Sequence, residues 1–190
     1  GLVGSEMCIR DSTGNYLKNK KKKSEFEQLA YKNIGGFFSE AEKAVQLLAG
    51  PQFQERLSYA KKTGELCHGS YNYHNIIFSN GNTAVTNFDK YKNECQISDL
   101  YQFMRKILEK YDWDIQTAYK MMEEYDKIKP VSDTERALLA ALFAFPEKFW
   151  KVMNYYFNSN KAWIPPKTKE KLEKVVQQNE KRQKFLETLL

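Results

Sequence analysis

Apolar positions recur with a helical period over the first and last thirds of the chain, and with a strand-like period only in its middle. KKKKSEFEQLAYKNI, Lys20 to Ile34, predicts a charged helix closed by Gly35 and Gly36, since paired glycines commonly stop helices. Phe37 to Pro51 predicts a second helix. There Ser39 is the candidate N-cap with Glu42 at capping-box spacing, followed by the apolar stripe Ala41, Ala44, Val45 and Leu48. Gly50-Pro51 ends that helix, and QFQERLSYAKKTG predicts a further short one stopped by Gly64.

The period changes at Leu66. Ile76 to Phe78 and Ala84 to Thr86 are short β-prone runs around Ser79-Asn80-Gly81-Asn82, and Asn-Gly between such runs predicts a hairpin. Helical spacing then resumes. Leu100, Phe103, Met104, Ile107 and Leu108 fall on one face behind Ser98 or Asp99 as cap. Thr134 to Phe145 is apolar nearly all round, as a buried helix should be, and Pro146 breaks it. EKFWKVMNYYF continues as another helix, NSNKAWIPP reads as a loop, and Lys167 to Leu190 as an amphipathic helix. The stripe Trp150, Met153, Phe157 and Trp163 is read as core, with a cleft lining as the alternative. Helices, one hairpin, then helices make a mostly helical α+β fold rather than a parallel α/β sheet.

Composition narrows the function classes. With 42% hydrophobic, 28% charged and 14% aromatic residues over 190 positions, the chain can bury a real core and is not disordered. The net charge of +6 has one dense source, KNKKKK at Lys18 to Lys23. No nucleic-acid motif accompanies it, so it is read as a solvated helix face and no nucleic acid is expected as partner. Cys8, Cys67 and Cys95 are too few and scattered for a disulfide framework or a zinc site, which makes a reduced, intracellular setting the default. No apolar run is long enough to span a membrane. Residues 1–12 do not share the periodicity of the rest of the chain. They resemble translated adapter sequence and are set aside as an unrelated leader, leaving 13–190 as the folded region.

The chemistry is concentrated in LCHGSYNYHNIIF, Leu66 to Phe78. A phosphotransferase needs a carboxylate to orient the proton of the attacking hydroxyl and an Asn a few residues on to help hold Mg²⁺. A second carboxylate, past a hairpin that returns the chain to the same pocket, must hold the metal that bridges the nucleotide phosphates. The frame is present: His68-Gly69 opens the loop, Asn75 comes six residues later, and the hairpin leads to TNFDKY. The pattern resembles the aminoglycoside phosphotransferase and choline kinase superfamily, a branch of the protein-kinase-like fold. Within it, the chain is similar to the CotS family of spore coat proteins. That resemblance is carried by the loop together with ISDLYQFMRKILEKYDWD, FPEKFWKVMNYYFNSNKAWIP and KLEKVVQQNEKRQKFL. It implies a kinase-like C-terminal lobe, Mg-ATP use if the site is active, assembly into the spore coat and other coat proteins as partners. No particular small-molecule ligand is implied. No Gly-rich loop or phosphate-binding strand lysine is identifiable, so the chain is read as that lobe alone, a fragment.

Carried over by position, His68, Gly69 and Asn75 match the superfamily's loop. Ser70 stands where the catalytic Asp belongs and Asn87 where the first metal Asp belongs, while Asp89 fills the second acidic position. Losing a positioned base removes a contribution of about 10²–10⁴-fold. Period 2 along a strand would put Asp89 on the same face as Asn87, where it could serve as a replacement ligand. His68 is either a general base or, by preference, a structural histidine bonded to loop backbone. Asp99 is read as a helix cap before a site residue, and Tyr71 and Tyr73 as rings packing the loop before a ligand stack. The expected function is therefore a non-catalytic, kinase-like coat protein with no confident cofactor, metal or catalytic residue. The alternative is an ATP-dependent small-molecule phosphotransferase with a degenerate metal site.

Overall fold

The structure, a computed structural model, describes residues 13–159 and 165–189. Residues 13–19 form α1; then come α2 (Glu25–Leu48), α3 (Pro51–Thr63), β1 (Leu66–Cys67), β2 (Ile76–Ser79), β3 (Asn82–Val85) and β4 (Lys92–Asn93). The chain closes with α4 (Ile97–Lys110), α5 (Ile115–Ile128), α6 (Asp133–Ala144), α7 (Glu147–Phe157) and α8 (Lys167–Glu187). This is the mostly helical α+β arrangement expected. Chain contacts divide it into two compact units, Gly1–Val45 with Ala144–Glu180 and Gln46–Phe143 with Lys181–Leu190.

In the first unit the structure corrects the expected stop at Gly35-Gly36: α2 runs through both glycines without a break. Two interior glycines cost about 1 kcal/mol each in helix propensity. The face Phe26, Ala30, Phe37 and Ala41 outweighs that by packing against Phe149, Trp150, Met153 and Leu172. Phe37 lies stacked on Phe149 at 4.1 Å between ring centroids, and Phe26 on Tyr156 at 3.8 Å. The expected cap Ser39 is consequently an exposed mid-helix residue. The capping box sits instead at Ser24, whose N–H donates to Glu27 Oε2 at 2.8 Å while Glu27 N–H donates to Ser24 Oγ at 3.3 Å. Of the stripe read as core, Trp150 and Met153 are buried and Phe157 packs against them; Trp163 lies outside the described residues.

The second unit holds the strands. Gly50 and Pro51 start α3 as N-cap and first residue, and Gly64 ends it in the left-handed region at φ 73°. β1 pairs antiparallel with β4, and β2 with β3, from Ile76↔Val85 to Ser79↔Asn82. Asn80 and Gly81 turn that hairpin with φ of 49° and 77°, the two positive values a two-residue hairpin turn requires. The core is built on Met104, Leu108, Leu138, Leu139 and Phe143, with Trp113 and Phe185 edging Phe143 at 6.1 and 5.0 Å. α5 has no counterpart among the helices expected from the sequence. Only Ala118 and Met122 are buried on it, so its apolar stripe is too thin to stand out.

A charge cluster ties α3 to β1 and α6. Arg56 Nη2 lies 2.8 Å from Glu65 Oε1 and 2.7 Å from Glu135 Oε1. Glu135 Oε2 in turn accepts from Ser132 N–H at 3.1 Å and from its hydroxyl at 3.0 Å, a second capping box. Burial pushes both carboxyls up, but the Arg56 guanidinium, with Gln96 N–H on Glu65 and the Ser132 donors on Glu135, outweighs it and holds both below the ordinary 4.5. A depressed folded-state pKa gives stability that is complete above the unfolded value and lost as pH falls through the folded one. Unfolding free energy in urea should therefore drop from about pH 5 toward about pH 3, and Glu135→Gln should flatten that acid limb. An acid limb of the same slope in the variant refutes the assignment.

Candidate functional site

Cys67 ends β1, and its thiol points at backbone rather than at His68, donating to the carbonyls of Glu94 and Cys95, each at 3.2 Å. Burial, reinforced by Asp99 and Glu94, pushes that thiol up to about 12, so it stays protonated and is no nucleophile near neutral pH. The chain then turns at Gly69, φ 73°, into the loop. No other residue fits there. A Cβ at Gly69 would stand 1.9 Å from the Lys90 carbonyl oxygen, so the loop and the short 3₁₀ turn Phe88–Lys90 touch backbone to backbone.

Asp99 fixes the loop from the other side. Its Oδ2 accepts from His68 N–H at 2.6 Å and its Oδ1 from Gly69 N–H at 3.0 Å. This corrects the reading of Ser98 or Asp99 as the α4 cap: the cap position is Gln96, in helical conformation and without a side-chain cap bond. Asp99 in the first turn of α4 instead caps the loop, a charge-assisted pair of bonds across a separation of some thirty residues. Its helix position mimics a cap in sequence, and nothing local signals the distant partner.

His68 is buried, with both ring nitrogens engaged. Ser70 N–H donates to Nδ1 at 3.1 Å, so Nδ1 is unprotonated, and Nε2 carries the proton it donates to the Thr86 carbonyl at 2.8 Å. Rings close over it, with Phe88 at 4.5 Å and Tyr71 at 5.9 Å between centroids. Tyr71 also packs on Phe103 of α4 at 5.5 Å, and Lys110 lies over the Tyr73 ring at 5.0 Å. These rings fasten the loop to α4.

The remaining site residues form one hydrogen-bonded chain. Asn75, buried, donates from Nδ2 to the Ser70 carbonyl at 2.8 Å. That fixes the orientation of its amide, and Asn75 Oδ1 then accepts from Asn87 Nδ2 at 2.8 Å. The hairpin brings the ends together, because Thr86 N–H donates to the Asn75 carbonyl at 2.9 Å. Asn87 itself has φ 62° and ψ 57°, a left-handed conformation that Asn tolerates better than most residues. The structure thus joins His68, Ser70, Asn75 and Asn87 by hydrogen bonds, and none of these bonds includes Asp89. β3 ends at Val85, Asn87 is left-handed, and Asp89 lies exposed in the 3₁₀ turn, so strand alternation does not relate Asp89 to Asn87. Among the described residues no group of three or more His, Cys, Asp or Glu side chains could hold a metal ion.

A family model described as "Spore coat putative kinase YutH" matches residues 12–189. The chain belongs to this family. It is a CotS-like, kinase-like spore coat family, so the resemblance read from the loop and the C-terminal segments holds. The fold is also that of a solved aminoglycoside phosphotransferase from Alicyclobacillus acidocaldarius, with a TM-score of 0.90 at 20% identity. That likeness covers 100% of this chain and 56% of the other, so the chain spans little more than half the length of that structure. No helix among the described residues is long and apolar enough to cross a membrane.

Proposed function

We propose that this member of the spore coat kinase-like family is a non-catalytic structural protein, synthesised in the cell and assembled into the coat with other coat proteins. The observation that carries the reading is the amide pair Asn87 Nδ2 to Asn75 Oδ1 at 2.8 Å. A hard divalent cation takes oxygen ligands, preferably anionic ones. Here the oxygen of Asn75 is committed to an N–H, and the group facing it is a donor. Two of the three positions that would supply charge, Ser70 and Asn87, are neutral, and the third, Asp89, is exposed and takes no part in their hydrogen bonds. The donor set does not fit Mg²⁺. What the residues do is hold one another: Asp99 ties down two loop amides, His68 bridges to Thr86, and the amide chain takes the place of a bridging cation.

Calorimetric titration of the complete protein with ATP, with and without Mg²⁺, tests this. No metal-dependent binding is expected. The double variant Ser70→Asp/Asn87→Asp should gain Mg²⁺ binding, because the loop geometry survives. Metal-dependent ATP binding with phosphate transfer by the unmodified protein overturns the reading in favour of an active phosphotransferase.

A further inference from the structure

The net charge of the chain is concentrated in one unit. Residues 13–45 carry seven lysines against four glutamates, and residues 144–180 carry the same numbers. The other unit is close to balance, with fifteen basic and fourteen acidic residues over 46–143 and 181–190. Several glutamates of the basic unit are used internally: Glu27 by Lys20, Glu25 by Lys169 and Glu147 by Lys151. Lys18, Lys21, Lys22 and Lys32 are exposed and have no carboxylate partner among the described residues.

One of them, Lys18, lines a groove between α1 and α2. It has a volume of about 290 Å³ and is lined by Gly14 and Lys18 from α1 and by Tyr31, Ile34, Gly35 and Phe38 from α2. Tyr31, Ile34, Gly35 and Phe38 recur at helical spacing, a second stripe beside the one that Phe37 and Ala41 bury in the core. A Cβ added at Gly14 or Gly35 would meet nothing within 4 Å, so the floor is open. The exposed face of Tyr31 carries Lys23 Nζ at 4.9 Å from the ring centroid.

We propose that this groove is a docking site for an acidic segment of a partner protein that inserts an aromatic or aliphatic side chain between α1 and α2. The volume suits one or two side chains, and Lys18 in the lining and Lys23 over Tyr31 supply the complementary charge. Nucleic acid fits less well, because Ile34 and Phe38 beside Tyr31 make the lining an apolar cleft rather than a run of stacking rings, and one face of Tyr31 already carries Lys23. The proposal stands on the groove alone and is independent of whether the amide-paired site is catalytic.

The test is a fluorescence titration of the 190-residue chain with three probes: a fifteen-residue Glu/Asp-rich peptide with one central Phe, the same peptide with Ser for Phe, and a fifteen-nucleotide single-stranded RNA. The Phe peptide should bind at least about tenfold more tightly than the other two, and more weakly as salt rises. Gly35→Leu fills the groove on a position favourable to helix, so it should keep or raise the melting temperature while weakening the Phe peptide at least about tenfold. Lys18→Glu/Lys23→Glu should weaken it similarly and flatten the salt dependence. No binding at low salt overturns the proposal. So does equal binding of all three probes, or binding that Gly35→Leu leaves unchanged.

Discussion

Gly69→Ala is expected to cost about 4 kcal/mol or more, among the largest losses a single substitution produces. Two effects add. An L-residue held at φ 73° is penalised by about 1–2 kcal/mol. The new methyl would also fall 1.9 Å from the Lys90 carbonyl oxygen, a backbone atom that no rotamer change can move aside. The loop and the Phe88–Lys90 turn must separate, and with them go the Asp99 bonds to His68 and Gly69. Gly81→Ala isolates the first effect: φ is 77° and nothing lies within 4 Å, so only the conformational penalty of about 1–2 kcal/mol applies. Urea unfolding measures both, and amide exchange at His68 and Gly69 reports the local loss. A Gly69→Ala protein no less stable than Gly81→Ala would show that the close approach does not hold the loop.

Asn87→Asp should make stability depend on a divalent cation. The substitution replaces the donor facing Asn75 Oδ1 with an oxygen, leaving two acceptors opposed where a 2.8 Å hydrogen bond stood. Asn75 cannot turn its amide round without giving up its own bond to the Ser70 carbonyl. Without cation the variant should lose about 1–3 kcal/mol at neutral pH. Millimolar Mg²⁺ should recover part of that, because a cation can bridge the opposed oxygens, whereas the unmodified protein should melt at the same temperature with Mg²⁺ or chelator. Equal melting of the variant in both conditions would mean that the amide pair does not stand in for a metal.

The amide-paired site marks the limit of what is legible in the sequence. Ser70 and Asn87 stand out by their places relative to the loop opening and the hairpin, and the hairpin by Asn80-Gly81. That Asn75 and Asn87 bond each other is not legible, since it depends on a left-handed residue and on the registry of two strands. Asp99 reads as a cap for the same reason: its amide partners lie some thirty residues upstream.

The spacing Ser-x-x-Glu occurs at Ser24, Ser39 and Ser132, and of these Ser39 alone is the expected cap. Only Ser24 and Ser132 form capping boxes, because Ser39 is taken into the middle of α2 where Phe37 stacks on Phe149. By itself the sequence determined what rests on short-range chemistry: the stop at Gly64, the Asn-Gly turn, the break at Pro146, the mostly helical α+β class and the missing carboxylates. The tertiary structure decided where α2 ends, which carboxylate holds the loop and which way each amide faces. Those outcomes depend on contacts between residues far apart in the chain, and such contacts, each worth a few kcal/mol at most, override local preferences of about 1 kcal/mol.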